Sequence, residues 1–471
     1  MLFNTVQFFI FFLIVYSLYV RLNTKWQNKL LLVASYFFYA CWDCRALWLL
    51  YFSTIIDFFC GLKMRSATNQ KDKKLFLILS ICTHLLILSF FKYFNFFTTS
   101  FSELLILCGI KADFVTVNII LPIGISFYTF KSISYLVDLY RDEVEPTDNI
   151  FDFALFVSFF PALIAGPIDR AKKLLTQISN PRIISQNDLK EGLYLILWGL
   201  YEKVFIADNL SIIVNPVFNK TVDFNGVEVL IAVYAFAFQI LCDFDGYSNM
   251  ARGIAKLMGF HLMINFNLPY FVTNPSDFWK RWHISLSQWL RDYLYIPLGG
   301  NKRNQLGNLF ITMLLGGLWH GAAWTYVIWG AYHGLLLIFY RVLSLISPFS
   351  IELKSLLLKR LTFIIKAFVF FNFVCIGWLF FRANTIEQAI SMLSSLLFNF
   401  DWIDSATCML ILLFSVTFLF LVISLFQFIY NDLLVILKLS LVYQIMIYLF
   451  LIFSIILSGS KTTQEFIYFQ F

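Results

Sequence analysis

Charge is what this sequence has least of. Asp, Glu, Lys and Arg make up 13% of its 471 residues, about half the share of a soluble domain. Whole segments carry none of the four: Met1–Val20, Asn304–Tyr340, Ser405–Asn431 and Leu439–Ser460. With 60% hydrophobic and 20% aromatic residues, no water-soluble fold could hide the apolar surface, so lipid must be the solvent for most of the chain. Strand-length alternation of apolar and polar positions is missing too, which excludes a membrane β-barrel. Helices are then the remaining backbone whose polar groups are satisfied inside lipid. The first segment lacks the basic start and small-residue cleavage site of a secretory leader and is followed by Arg21, Lys25 and Lys29; it reads as a retained span with the N-terminus outside. The eight cysteines are scattered, and Cys41-Trp-Asp-Cys44 has neither a second pair nor a nearby histidine, so apolar packing suits them better than a metal or a disulfide. So little charge also excludes a nucleic-acid surface, although the net +7 suits anionic lipid headgroups.

What is present is a series of apolar segments. A helix of about 20 residues crosses the hydrocarbon core, and on that measure the chain holds roughly ten to thirteen membrane segments, with Ile119–Val137 either spanning or re-entering. Aromatic-rich spans and short basic loops fill residues 1–110. Breakers and charges gather over 111–190, among them Pro122, Gly124, Lys131, Asp138, Gly166-Pro167, Asp169 and Arg170. An apolar block covers 190–242, the most polar stretch is Asp243–Arg303, and spans then resume up to a tail at 461–471. No internal repeat is visible, which counts against a secondary transporter. The whole reads as one domain, 1–471, with its chemistry at 240–340.

Loop charges give a topology. Residues 271–303 and 341–361 are rich in Lys and Arg and read as cytoplasmic. Both ends of the uncharged run 304–340 then face inside, yet a single helix of that length would be about 55 Å long. A break at Gly316-Gly317, making a hairpin or re-entrant element, reconciles the two. The loop 383–404 has no Lys or Arg and reads as outside, which leaves the C-terminal tail outside as well.

There are five histidines, His84, His261, His283, His320 and His333. His320 lies in the uncharged run beside glycines that leave room for a substrate, and an ionisable group at membrane depth is a functional candidate. Its alternative is a hydrogen-bonded core histidine. A neutral imidazole there could take the proton of an alcohol attacking an acyl carbonyl. His283 falls among charges on Asp277–Arg291, which reads as an amphipathic helix at the membrane surface; it could polarise the carbonyl, orient His320 or hold the donor. His84, His261 and His333 read as structural. Two histidines 37 residues apart with no suitable Cys or Glu nearby do not make a metal site. Asp243, Asp245, Asn249 and Arg252 have turn and helix-cap chemistry. Lys280, Arg281 and Arg291 either meet the phosphates of a nucleotide-containing donor or are ordinary positive-inside residues.

Several ordered motifs go further. They are Asp243-Phe-Asp-Gly-Tyr-Ser-Asn-Met-Ala-Arg-Gly-Ile-Ala-Lys-Leu-Met-Gly259, Asn265-Phe-Asn-Leu-Pro-Tyr270, Phe278-Trp-Lys-Arg-Trp-His-Ile-Ser-Leu-Ser287, Arg291-Asp-Tyr-Leu-Tyr-Ile-Pro-Leu-Gly-Gly-Asn301 and Gly317-Leu-Trp-His-Gly-Ala-Ala-Trp324, with Gly166-Pro167-Ile168 and Gly377-Trp-Leu-Phe-Phe-Arg382. Together they resemble the membrane-bound O-acyltransferase family, in its bacterial alginate and peptidoglycan O-acetyltransferase branch. The resemblance implies an all-α polytopic fold around a central tunnel, with His320 as the catalytic histidine and His283 as its second. It further implies acetyl-CoA as a cytoplasmic donor substrate rather than a bound cofactor, an extracytoplasmic glycan as acceptor (peptidoglycan ahead of alginate), and a periplasmic partner of the Ser-His-Asp (SGNH) esterase type. The protein would then sit in the bacterial inner membrane with both termini periplasmic. The ending Glu465-Phe-Ile-Tyr-Phe-Gln-Phe471 is similar to that of the partner peptide in the related D-alanylation system, which makes Tyr468 a candidate acyl relay. Three alternatives stay open at this point: a D-alanyl transferase of the same family, a proton-coupled transporter or flippase, and a scaffold for wall enzymes.

Overall fold

The computed structural model describes residues 1–110, 117, 119, 121–164, 166–346, 355–459 and 465–467, and every regular element among them is helical. Six helices are long and apolar enough to cross a bilayer: Cys44–Ser66, Gln70–Leu107, Gly226–Leu257, Trp324–Leu345, Leu356–Arg382 and Asp404–Tyr430. Shorter apolar helices run over Val6–Tyr19, Ile386–Phe398 and Leu441–Leu457. Large apolar side chains stand exposed along them, such as Leu357, Phe368, Phe418 and Ile456. Water would not tolerate such continuous faces and lipid covers them, so this is a multi-pass membrane protein. Other apolar stretches fold as helices too short to count by that measure, Ile125–Tyr140 and Gln186–Leu200 among them.

By internal packing the chain divides into two units, Met1–Leu193 with Ala251–Met263, and Tyr194–Met250 with Ile264–Phe471. The first is tied together by buried polar contacts between helices. Asn28 Nδ2 donates to the Ile178 carbonyl at 2.9 Å, and the Tyr19 hydroxyl donates to the Met258 carbonyl at 2.6 Å. His84 Nε2 lies 2.9 Å from both carboxylate oxygens of Asp57, which also accepts from the Ser80 hydroxyl at 2.5 Å. All three are buried, so His84 is a core histidine with a partner. His261 is half-exposed and 3.7 Å from Asp188.

In the second unit, glycines set the spacing of helices. A Cβ on Gly199 would lie 2.4 Å from the Gly246 carbonyl oxygen, and one on Gly246 would lie 2.7 Å from that of Gly199. This close approach brings a π-helical turn, Tyr201–Ala207, against the helix Gly226–Leu257. Asp243–Asn249 therefore lies inside a long continuous helix, and the turn-and-cap reading of these residues is wrong. Asn249 Nδ2 instead donates to Glu202 Oε2 on a neighbouring segment at 2.9 Å.

A second correction concerns the run 304–340. A hairpin does form, but the helix Gln305–His320 passes straight through Gly316-Gly317 and ends only at His320, where the chain turns back into Trp324–Ile346. A Cβ on Gly317 would come 2.2 Å from the Tyr326 carbonyl oxygen, and one on Gly330 2.4 Å from that of Met313. At Gly321 the same added carbon would strike the Tyr326 ring at 2.2 Å. The space these glycines leave is filled by the returning helix, so they serve packing between the two arms rather than room for a substrate.

Candidate active site

His283 owes its place to a strap. The expected single surface helix over Asp277–Arg291 is two pieces, Pro275–Trp279 and Ile284–Leu290, separated at His283 with φ 41° and ψ 55°. A non-glycine residue holds this left-handed conformation only where its surroundings over-determine it. Here they do. The Asn267 N–H donates to the Arg281 carbonyl at 3.0 Å and the Ile284 N–H to the Asn265 carbonyl at 2.8 Å. The Ser285 hydroxyl donates to Asn265 Oδ1 at 2.7 Å, and Asn265 Nδ2 donates to the Ser248 hydroxyl at 2.7 Å. The imidazole is thereby turned inward, 1% exposed, with Phe244 edge-on at 4.7 Å and Trp319 at 5.9 Å. Of its charged neighbours in sequence, Lys280 pairs with Asp277 and Arg281 donates to the Asn267 carbonyl.

His320 is the last residue of its helix and 3% exposed. Its ring is bounded by Trp319 at 5.0 Å, Trp329 at 5.0 Å and Phe381 at 5.5 Å. The structure brings His283 and His320 together, with ring centroids 6.4 Å apart. Even with nitrogens facing, that distance is beyond a direct hydrogen bond and matches two groups flanking a third. His333 lies on the far side of Trp329, 4.9 Å from its ring, stacked on Phe278 at 6.0 Å and fully buried. Nothing in the local sequence marks its position one aromatic ring away from His320.

Burial pulls the His283 imidazole from its ordinary 6.5 down to about 3, because an apolar enclosure disfavours the charged form. The unfolded chain takes up a proton near pH 6.5 that the folded chain refuses until about pH 3, so the folded state loses stability as pH falls through that window. Between pH 7 and pH 5 this one group should cost about 2 kcal/mol. Thermal unfolding of the detergent-solubilised protein should shift down over that range, and the shift should be smaller in His283→Gln by that amount. An identical pH slope in the variant would show that the imidazole is not held neutral.

The three cations expected to meet donor phosphates are all placed. Lys280 is exposed and pairs with Asp277 at 2.9 Å, Arg291 is exposed and pairs with Asp292 at 2.7 Å, and half-buried Arg281 donates to the Asn267 carbonyl at 3.2 Å. Sequence reasoning missed a different charged group. Lys203 Nζ, 1% exposed, sits 2.8 Å from Asp208 Oδ1 and 2.7 Å from Asp243 Oδ1. The available signal was an adjacent Glu202-Lys203 pair with Asp208 close behind, inside an otherwise apolar block. Near this group the described end of the chain is seated: the Ile467 N–H donates to Asp243 Oδ2 at 2.8 Å. Phe466 packs on Tyr247 at 4.5 Å and on Phe244 at 5.7 Å. Tyr468 lies outside the described residues.

Residues 141–383 match the model of the membrane-bound O-acyltransferase family. The chain is 42% identical over 404 residues to the probable alginate O-acetylase of Pseudomonas putida, covering 85% of this chain and 80% of that one. To the peptidoglycan O-acetyltransferase of Helicobacter pylori it is 37% identical over 432 residues, covering 84% and 80%. A teichoic acid D-alanyltransferase of Bacillus subtilis is 29% identical over 289 residues, covering 58% and 71%.

Proposed function

Given that this chain belongs to the membrane-bound O-acyltransferase family, we propose that it takes an acetyl group from cytoplasmic acetyl-CoA and delivers it for O-acetylation of an extracytoplasmic polysaccharide. Membership makes it an acyltransferase and disposes of the transporter and scaffold alternatives. One observation carries the site assignment: two histidines distant in sequence meet in a buried aromatic enclosure, 6.4 Å apart. In this reading His320 is the general base. It takes the proton of an attacking hydroxyl as that oxygen bonds to the acetyl carbon; the carbon–sulfur bond of the thioester breaks, and the proton passes to the departing CoA thiolate. His283, kept neutral by burial, cannot supply a positive charge, but a neutral imidazole N–H can hydrogen-bond the carbonyl oxygen as negative charge develops there. Lys280, Arg281 and Arg291 would meet the donor's phosphates, exchanging carboxylate and carbonyl partners for phosphate oxygens.

The first hydroxyl in the sequence of transfers is that of Tyr468. A phenol has a pKa near 10, so its acetyl ester gives up the acyl group more readily than an alkyl ester. A periplasmic partner with a Ser-His-Asp centre would accept the acetyl group and place it on the glycan, with both termini of this chain on the periplasmic side of the inner membrane. The two relatives quoted at 37% identity or more name alginate and peptidoglycan as acceptors, and peptidoglycan is placed first here.

The test is purified full-length protein given acetyl-CoA labelled in the acetyl group. Release of free CoA with label on the protein is expected, followed by label on peptidoglycan fragments when an esterase-type periplasmic partner is added. Label appearing on alginate alone would reassign the glycan. A protein inert to acetyl-CoA but labelled by a D-alanyl carrier would replace the donor.

A further inference from the structure

An intramolecular clasp stands beside the histidines that the acyl-transfer chemistry above does not use. Lys203 lies in the π-helical turn Tyr201–Ala207, where both it and its neighbour Glu202 are buried. A regular helix would put adjacent residues on different faces, and widened turns of this kind concentrate at functional sites. Lys203 bridges Asp208, five residues on, to Asp243 on the helix Gly226–Leu257. All three are 3% exposed or less at the side chain. Burying two carboxylates around one ammonium costs desolvation energy that a packed apolar trio would not, so a cluster of this kind calls for a task. The second oxygen of Asp243 has one: it accepts the Ile467 N–H at 2.8 Å.

We infer that the Asp243 carboxylate, held in place by Lys203 and Asp208, is the docking group for the C-terminal segment, gripping it by its main chain at Ile467 while Phe466 fills the aromatic seat of Phe244 and Tyr247. A backbone N–H is a donor whatever side chain follows, so the grip fixes register. The ring contacts supply the sequence preference. Phe466 and Ile467 are 0% and 7% exposed, and Phe244, against which Phe466 packs, is the residue that meets His283 edge-on at 4.7 Å. The clasp therefore sets the tail down one side chain away from the second histidine. These are positioning residues. The inference rests on the relay reading for what the tail does in transfer, and on the geometry alone for how the tail is held.

Full-length protein in detergent, treated with a carboxypeptidase, tests the grip. Trimming of the wild type should stall before Ile467. In Asp243→Ala, where Lys203 keeps Asp208 as its partner, trimming through Ile467 and Phe466 should run about 10- to 100-fold faster, the scale of a lost hydrogen bond to a charged group. Phe466→Ala empties the aromatic seat and leaves the Lys203 cluster intact, and should be trimmed faster than the wild type, as Asp243→Ala is; Ile467→Val keeps the donor N–H and the ring seat and should stay within about twofold of the wild type. Wild-type protection in either Asp243→Ala or Phe466→Ala overturns the inference. Acetyl transfer measured on untreated portions of the same preparations separates the two ideas. A tail that opens together with a fall in transfer supports both, whereas a tail that opens with transfer unchanged leaves the clasp standing and removes the relay.

Discussion

Replacing His320 with alanine should lower release of CoA from acetyl-CoA, and acetyl transfer with it, by about 10²- to 10⁴-fold, the range supplied by a positioned general base. His320 occupies the end of the helix Gln305–His320 and is 3% exposed, so bulk water cannot easily take over its task. Without it, the attacking hydroxyl must lose its proton to no one while it bonds to carbon. The apparent KM for acetyl-CoA should stay within a few-fold of the wild type, because the cations assigned to the phosphates lie on 280–291 and not on the His320 helix; a loss confined to kcat is what removal of a transition-state group produces. Unfolding midpoints report whether the fold survives, and the ring contacts of Trp329 with Trp378 and Phe381 remain without the imidazole. A variant retaining more than about a tenth of the wild-type rate would fall outside the range for a general base and would remove His320 from the chemistry.

The part of this picture legible in the sequence is the part that lipid dictates. Uncharged runs such as Ser405–Asn431 announce spanning helices because nothing else satisfies the backbone there, and His320 is conspicuous because it is an ionisable group in a long uncharged run. The misreadings share one cause. Glycine pairs and Asp-Gly-Tyr-Ser-Asn strings break helices in water, where the released backbone groups find solvent. In lipid the helix is kept, and the glycine becomes a contact point, as Gly317 does beneath the Tyr326 carbonyl and Gly246 beside Gly199. The partnership of Lys203 with Asp243 is set by how a π-helical turn lies against a distant helix, which no local pattern encodes. His283 shows the same limit from the other side. Its neighbours Lys280 and Arg281 suggest an exposed helix, whereas a few hydrogen bonds from Asn265 and Asn267 turn the imidazole into an enclosure.

If Tyr468 is the relay proposed above, Tyr468→Phe should abolish acetyl labelling of the protein and reduce transfer to the glycan by about 10²-fold or more, approaching the effect of losing His320, because it removes the covalent acceptor itself. Phenylalanine keeps an aromatic ring and deletes only the oxygen, so the loss reports the nucleophile. The geometry leading up to this position favours the role. Ile467, the preceding residue, is fixed by its N–H on Asp243, and Phe466 is lodged against Phe244, which touches His283. On the relay reading, a reacting side chain that follows an anchored residue is presented at far higher effective concentration than a free alcohol. After exposure to acetyl-CoA, peptide mass analysis should find one acetyl group on the C-terminal peptide of the wild type. None should appear on Tyr468→Phe, and none on His320→Ala, since without the base the phenol is not activated. Labelled Tyr468 in the His320 variant would make another group the base, and undiminished glycan transfer by Tyr468→Phe would mean that the acetyl group travels directly from the thioester to the partner's serine.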